Sequence, residues 1–221
     1  MNNLILYSFR RCPFAMRARM TFLIMKIKYE IREIHLKEKP DEMIKLSSKG
    51  TVPVLFDPIK NFVIDESLEI MKVFLAKSKN KNFQFNAKNI EFIKLFDNVF
   101  KYHLDRYKYA DRYENGNMQK IFHRDQCVKF LEKNFSKIIE EEINDNFEFK
   151  NYLSFNLIAT LPFIRQFRIA NEKWFDDYYE DNLISKVLNC FIESKLFKEI
   201  MSKFPKWEKD AEPIFVNYLK N

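Results

Sequence analysis

The chain contains no uninterrupted apolar run approaching the ~18 residues that a membrane-spanning helix requires. Its first residues also lack the basic start and the long apolar core of a secretory signal peptide. These two absences predict a cytoplasmic protein with no membrane partner. What the 221 residues do have is a hydrophobic content of 47%, which is typical of a globular chain with one large or two small domains.

Cysteine is scarce, with three residues in the whole chain. An odd number in a chain of this length does not suggest a disulfide framework. Cys127 and Cys190 lie on apolar stripes, which favours buried, structural thiols. Ala15 stands where the second cysteine of a Cys-x-x-Cys motif would follow Cys12. Any redox chemistry at Cys12 would therefore use one thiol of the protein and an external thiol.

The sequence shows no basic run, RNP-like motif or helix-turn-helix signature, so we expect no nucleic-acid partner. The net charge of +7 is nevertheless uneven, because +6 of it falls in residues 1–80. An anionic small ligand accounts for that bias. His35, His103 and His123 show no metal-ligand spacing, so we expect no metal.

The most informative segment is residues 12–17, which follow an apolar run that predicts a buried strand at residues 3–7. Pro13 suits the first position of a helix, because its missing N–H would be unbonded there. Cys12 is therefore expected at or near the N-cap, where free N–H groups and the helix dipole favour the thiolate. We interpret Cys12 as a reactive thiol; the alternative is a small apolar residue that happens to precede a proline.

Hydrophobic periodicity predicts a β-α-β-α-β-β-α order over the first 77 residues. A parallel first strand pair with a right-handed crossover and a hairpin of the last two strands follow from this order. After a polar linker at residues 78–86, nearly every segment has helical periodicity. We therefore predict an α/β domain over residues 1–77 and an all-helical domain over residues 87–221, with helices near 87–112, 118–143, 154–170, 180–193 and 195–203 and an irregular tail.

Two dipeptides suit a peptide-like ligand. A cis Val52–Pro53 bond would present the Val52 backbone at a strand end, where an extended ligand could pair with it. Glu66 and Ser67 open a helix and would suit the ammonium and carboxylate of an α-amino acid head group. Each dipeptide also has an ordinary interpretation, as a loop proline and as a helix-capping pair.

Taken in order, these segments resemble the glutathione S-transferase superfamily, and in particular its cysteine-type members, the omega class and glutaredoxin-like bacterial proteins. Residues 11–15 look like the omega active-site segment. Three further segments resemble the glutathione contacts that follow it, at residues 37–40, 51–55 and 65–67. Residues 162–167 resemble a stretch of the helical domain in bacterial members. The resemblance covers nearly the whole chain and is strongest over residues 4–77.

The resemblance implies a thioredoxin-like N-terminal domain, an all-helical C-terminal domain and glutathione bound between them as co-substrate. Cys12 would be the catalytic thiol and would form a mixed disulfide with glutathione, with Phe14 packed near it. The helical domain would contribute the site of a small electrophile or disulfide substrate. The family commonly forms homodimers, whereas glutaredoxin-like members can be monomers.

The resemblance also implies the remaining glutathione contacts. Lys39 would meet the glycyl carboxylate, and Val52, before a cis Pro53, would pair with the cysteinyl backbone. Glu66 and Ser67 would hold the γ-glutamyl end.

Two features of the helical region bear on this interpretation, and the second is a departure from the family. Phe100, His103 and Tyr107 share a helix face that could line the second-substrate pocket, although core packing explains the same stripe. Ser154 is expected to begin a helix, but Leu157 stands where the family often carries an acidic capping partner.

The leading functional hypothesis is a glutathione-dependent thiol transferase acting through Cys12. One alternative is conjugation of glutathione to electrophiles, in which glutathione supplies the attacking thiolate. Another is a non-catalytic interaction module on the same fold.

Overall fold

A computed structural model of the protein describes residues 4–142 and 153–217. These residues form two compact units. The first contains the residues up to Lys81 together with those from Lys195 onward, and the second contains the described residues between Asn82 and Ser194.

The first unit is built on a five-stranded sheet with the order β4-β3-β1-β2-β5. Its first four strands and three helices follow the predicted β-α-β-α-β-β-α order, which confirms the thioredoxin-like fold class. The elements are β1 (Ile5–Ser8), α1 (Pro13–Ile24), β2 (Tyr29–Glu33), α2 (Asp41–Leu46), β3 (Val54–Asp57), β4 (Phe62–Ile64) and α3 (Ser67–Leu75).

Strand pairing brings the C-terminal ends of β1 and β2 and the N-terminal end of β3 to the same end of the sheet. β1 and β2 are parallel, with Leu6 opposite Ile31, as the crossover through α1 requires. β3 runs antiparallel to β1 and forms a hairpin with β4. Leu6, Ile31 and Leu55 are buried together with Phe22 of α1 in the hydrophobic core. The start of α1 is thereby fixed beside the N-terminal end of β3.

The C-terminal segment differs from the prediction, which assigned residues 87–221 to the helical domain and expected an irregular tail. Its helix α11 (Lys195–Ile200) contacts α1, and its short strand β5 (Phe215–Val216) pairs antiparallel with β2. The Trp207 N–H donates to the Glu33 carbonyl over 2.7 Å. This segment supplies partners to a sheet edge that would otherwise be open.

The second unit is helical within its described residues, as predicted. Two of its long helices contain a wide π-helical turn, at Phe96–Phe100 and at Leu131–Phe135. Its helices are α4 (Ala87–Leu95), α5 (Lys101–Lys108), α6 (Gly116–Phe130), α7 (Ser136–Glu142), α8 (Phe155–Ala170), α9 (Glu172–Tyr178) and α10 (Leu183–Glu193). None of the helices within residues 4–142 and 153–217 is long and apolar enough to cross a membrane.

Helix α8 begins at the predicted N-cap, Ser154, whose hydroxyl oxygen accepts from the Leu157 N–H over 3.1 Å. The carboxylate that Leu157 does not supply comes from Glu142 at the end of α7. Glu142 accepts from the Ser154 hydroxyl and from the Asn156 amide. Burial raises the pKa of Glu142, and these two donors oppose that shift. A negative group near a helix N-terminus is favourable, so the acidic partner is replaced from a neighbouring helix.

Candidate functional site

Cys12 is the N-cap residue of α1, with Pro13 at the first helical position as predicted. Its backbone N–H donates to the Phe9 carbonyl over 2.9 Å, which closes the turn between β1 and the helix. The Cys12 side chain is partly buried and packs against the cluster that contains Val52. Its Sγ lies 3.6 Å from the Val52 carbonyl oxygen. The thiol is therefore held at the start of a 12-residue helix, beside the end of β3.

The turn before Cys12 is fixed by a buried arginine that sequence reasoning did not single out. Arg19 is 2% exposed. Its guanidinium donates to the Ser8 hydroxyl, to the Phe9 carbonyl (3.4 Å) and to the Arg10 carbonyl (2.6 Å). It also donates to the Ile200 carbonyl over 2.9 Å, which connects the turn to the end of α11.

Glu33 supports the same turn from the end of β2. Its carboxylate accepts from the Arg10 backbone N–H over 2.5 Å. Burial raises the pKa of Glu33, while this hydrogen bond and the charge of Arg19 oppose the shift. Both ends of the turn are thus hydrogen-bonded to groups outside it.

A cavity of about 140 Å³ brings together the sequence-predicted ligand segments. The Val52–Pro53 peptide bond at its wall is cis, as the sequence suggested. The lining includes five of the predicted glutathione contacts and two neighbouring residues: Phe14, Val52, Pro53, Glu66 and Ser67, with Thr51 and Asp65. All of them belong to the first unit.

The two acidic residues of this lining pair with a lysine that the sequence interpretation overlooked. The Lys49 ammonium lies 3.0 Å from an Asp65 oxygen and 2.5 Å from a Glu66 oxygen. Ser47 donates its hydroxyl to the other Asp65 oxygen over 2.6 Å. The Ser47 and Lys49 donors lower the pKa of Asp65, with Ser47 the larger cause. Asp65 is held as a carboxylate, and Glu66 already accepts an ammonium group of the protein.

Lys39 is the one predicted glutathione contact that does not line this cavity. Its ammonium lies near Gly50, 3.2 Å from the position that a Cβ at residue 50 would take. Gly50 has φ +60°, a conformation that side chains rarely adopt. Lys39 is therefore close to the chain that leads into Thr51 at the cavity wall.

Tyr7 has no hydrogen bond to Cys12 among the contacts of the described residues. Its hydroxyl accepts from Arg32 over 2.7 Å, and the side chain is 1% exposed. Burial raises the pKa of Tyr7, and Arg32 opposes that shift. Tyr7 is therefore a buried residue of the first unit whose hydroxyl is bonded to Arg32. Of the other cysteines, Cys127 is fully buried as predicted, whereas Cys190 is partly exposed, which differs from the prediction.

The residues proposed for a second-substrate pocket lie in different surroundings. Phe100 is fully buried against Phe96 and Phe130. Tyr107 is 2% exposed and contacts Phe167 edge-on. The structure thus places both rings in the core of the second unit, which agrees with the core-packing alternative, and their part in a second-substrate site stays a prediction.

His103, the third of these residues, pairs with His123 of α6, and their Nδ1 atoms are 2.8 Å apart. Burial lowers the pKa of both imidazoles, and the charge of Arg106 adds to the shift in each. Two neutral rings satisfy this contact if one donates and the other accepts. No group of three or more potential metal ligands occurs in the part of the chain that the structure describes.

This pair predicts a pH dependence of stability. Since both folded-state pKa values are lowered, the unfolded chain binds protons first as the pH falls below about 6.5. The pair's contribution to the free energy of unfolding is complete above that pH and should be lost progressively below it. Urea unfolding between pH 7.5 and 5.5 should show a smaller loss for His103→Asn than for wild type. His35→Asn, at an exposed position, is the control, and equal losses in wild type and His103→Asn would contradict the prediction.

Residues 6–82 match the family model of the glutathione S-transferase N-terminal domain. Residues 6–82 are therefore a glutathione S-transferase N-terminal domain. The probable glutathione transferase omega-2 of Caenorhabditis briggsae is 40% identical over 63 residues, which are 28% of this chain and 25% of that protein. The match thus spans about a quarter of this curated relative.

Solved structures show that the glutathione S-transferase fold extends over the chain. A glutathione transferase from Pseudomonas putida, solved with one glutathione disulfide bound per subunit, has a TM-score of 0.70 at 15% identity, covering 90% of this chain and 91% of its own. Glutathione transferase Omega 3C from Trametes versicolor also has a TM-score of 0.70 at 15% identity, covering 93% and 91%. At such identities the likeness concerns the fold. Together with the domain match, it confirms the superfamily that the sequence resembles.

Proposed function

We propose that this protein is a glutathione-dependent thiol transferase in which Cys12 carries the reaction. The observation that supports this most is the position of the Cys12 thiol, 3.6 Å from the Val52 carbonyl at the wall of the cavity. The same cavity carries Glu66 and Ser67. The similar transferase from Pseudomonas putida was solved with glutathione disulfide, which is a substrate for this chemistry.

Each glutathione segment would meet a matching group. The Val52 backbone would pair with the cysteinyl residue in the manner of an added strand, which brings the ligand's sulfur to Cys12. Glu66 would bind the γ-glutamyl ammonium, and Ser67 the neighbouring carboxylate. Lys39, near the approach to Thr51, would meet the glycyl carboxylate.

The reaction would proceed by two thiol–disulfide exchanges. The Cys12 thiolate attacks the glutathionyl sulfur of a mixed disulfide, forms a Cys12–glutathione disulfide and releases the other half as a thiolate, which takes up a proton. A second glutathione thiolate then attacks the glutathionyl sulfur, regenerates the Cys12 thiolate and leaves as oxidised glutathione. The free N–H groups at the start of α1 favour the thiolate form at both stages.

Intact-mass analysis tests the covalent step. Incubation of wild type with oxidised glutathione should add a single glutathionyl group, which reduced glutathione removes. Cys12→Ser should add none, whereas Cys190→Ser, which replaces the other partly exposed cysteine, should behave as wild type. Failure of wild type to form the adduct while iodoacetamide still alkylates Cys12 would refute the proposal.

A further inference from the structure

The C-terminal segment pairs with the sheet edge and also contacts the turn that precedes Lys39. This turn comprises residues 35–38, and the Glu38 N–H donates within it to the His35 carbonyl over 3.0 Å. All of its residues, and Lys39 after them, are exposed. The Lys206 ammonium lies 2.5 Å from a Glu38 carboxylate oxygen. A salt bridge between residues 168 positions apart therefore connects the turn to the C-terminal segment.

The chain beside Lys206 is itself fixed against β2. The N–H of the next residue, Trp207, donates to the Glu33 carbonyl over 2.7 Å. The Trp207 ring lies 4.5 Å from the Arg32 guanidinium carbon and meets the Tyr7 ring edge-on. An exposed ion pair contributes little where both of its side chains must first be ordered. Here the backbone on one side of the pair is already held, so Lys206 can restrain the turn.

Glu38 and Lys39 are neighbours whose side chains have different surroundings. The hydrogen bond from Lys206 lowers the pKa of Glu38, which keeps this residue a carboxylate. The Lys39 ammonium lies near Gly50, on the chain that leads into the wall of the glutathione cavity. A restraint on the Glu38 side chain therefore fixes the backbone from which Lys39 extends, while the Lys39 ammonium faces a different part of the protein.

The turn has room to shift, because a second cavity of about 300 Å³ adjoins it. Its lining combines Glu38, Pro40 and Glu42 with residues 206–209 of the C-terminal segment. Open space, and not close packing, therefore occupies much of the region between these two parts of the chain. The salt bridge is a contact that crosses it, and its loss should allow the turn to move.

We propose that Lys206 is a positioning residue for the glycyl carboxylate of glutathione, because its salt bridge to Glu38 holds Lys39 where that carboxylate binds. The inference rests on the proposed function, which assigns this carboxylate to Lys39. It makes a residue of the C-terminal segment a determinant of specificity in the N-terminal domain. A ligand whose glycyl carboxylate is masked gains nothing from Lys206.

Titration calorimetry with two ligands tests this specificity. The ligands are reduced glutathione and its glycyl ethyl ester, which lacks the negative charge on glycine. Wild type should bind glutathione more tightly than the ester. Lys206→Met should weaken glutathione binding about threefold, the scale of one ion pair, and should leave the affinity for the ester unchanged. Lys206→Arg keeps the charge and should bind both ligands as wild type does.

Lys209→Met is the matched control, because it removes the same charge from another lysine of the second cavity. It should bind both ligands as wild type does. Glu38→Gln should show the same selective loss as Lys206→Met, and the double variant should lose little more, since the two residues act together. In a Lys39→Met background, Lys206→Met should have no further effect on either ligand.

The outcomes separate the inference from the proposed function. If Lys206→Met loses no affinity for glutathione, loses it equally for both ligands, or is matched by Lys209→Met, the role of Lys206 is overturned while glutathione binding stands. A loss that persists in the Lys39→Met background would overturn the action through Lys39. Wild type that bound both ligands equally would refute the Lys39 contact, and wild type that bound no glutathione would refute the proposed function; the inference fails in both cases.

Discussion

Replacing Cys12 with serine should reduce glutathione-dependent disulfide reduction by roughly a hundredfold or more. A serine hydroxyl is not ionised near neutral pH and cannot form a mixed disulfide. The first exchange therefore loses its nucleophile, and the second loses the Cys12–glutathione disulfide on which it acts. The substitution is otherwise conservative. Serine is a favoured N-cap residue, so α1 should begin where it does now. Glutathione affinity should change little, because the ligand contacts proposed above lie on Val52, Glu66 and Ser67.

The measurement is the steady-state reduction of a small mixed disulfide by glutathione, coupled to glutathione reductase and NADPH, with binding followed separately by calorimetry. Cys190→Ser is the control and should retain wild-type turnover. A Cys12→Ser variant that keeps most of its activity would exclude Cys12 as the nucleophile. If that variant gained turnover with an aryl halide, conjugation by the glutathione thiolate would replace thiol transfer as the leading function.

The parts of the site that sequence could predict depend on local chain chemistry. Cys12 before Pro13 indicates a helix start, Val52 before Pro53 a special strand entry, and Ser67 after Glu66 another helix start. Each signal is contained in two or three consecutive residues, and the order of elements between them leaves few ways to form the sheet. The structure brings these segments to one cavity because the antiparallel pairings of β3 with β1 and with β4 place them at the same end of the sheet.

The parts that sequence could not predict depend on contacts between distant residues. Arg17 and Arg19 fall in a helix that is buried over residues 15–22. Nothing local distinguishes them from solvated arginines. Their partners, Ser67 and Ile200, lie 50 and 181 positions further along the chain. Strand β5 has two residues, which is too short for alternation to show, and its pairing with β2 is equally remote.

The helix face that carries Phe100, His103 and Tyr107 is the opposite case. Its spacing was easy to recognise in the sequence, but it had two interpretations. Phe100 and Tyr107 recur at helical spacing, and that spacing predicts a shared face without saying whether the face meets a ligand or a core. The structure supplies a packing partner for the core interpretation, since Phe167 of α8 packs against both rings. Without knowledge of that packing partner, the sequence supported both interpretations.

The second large effect should come from Arg19, whose replacement by methionine should lower the free energy of unfolding of the first unit by about 3 kcal/mol or more. Methionine can fill much of the space but has no donors. The Arg10 and Ile200 carbonyls would then lose their bonds of 2.6 and 2.9 Å, and the Ser8 hydroxyl its contact, inside the protein. The lost bonds are those that connect the turn before Cys12 to α1 and α11.

Urea unfolding followed by tryptophan fluorescence can measure this effect in the first unit alone. The chain has two tryptophans, and Trp207 belongs to the first unit while Trp174 belongs to the second. In a Trp174→Phe background, Trp207 reports on the unit that contains Arg19. Arg11→Met, an exposed arginine on the same turn, is the control and should change the free energy by about 0.5 kcal/mol or less. A loss in Arg19→Met no larger than this control would show that the guanidinium bonds contribute little. A large loss accompanied by altered alkylation of Cys12 by iodoacetamide would show that one buried arginine both stabilises the domain and holds the thiol in place.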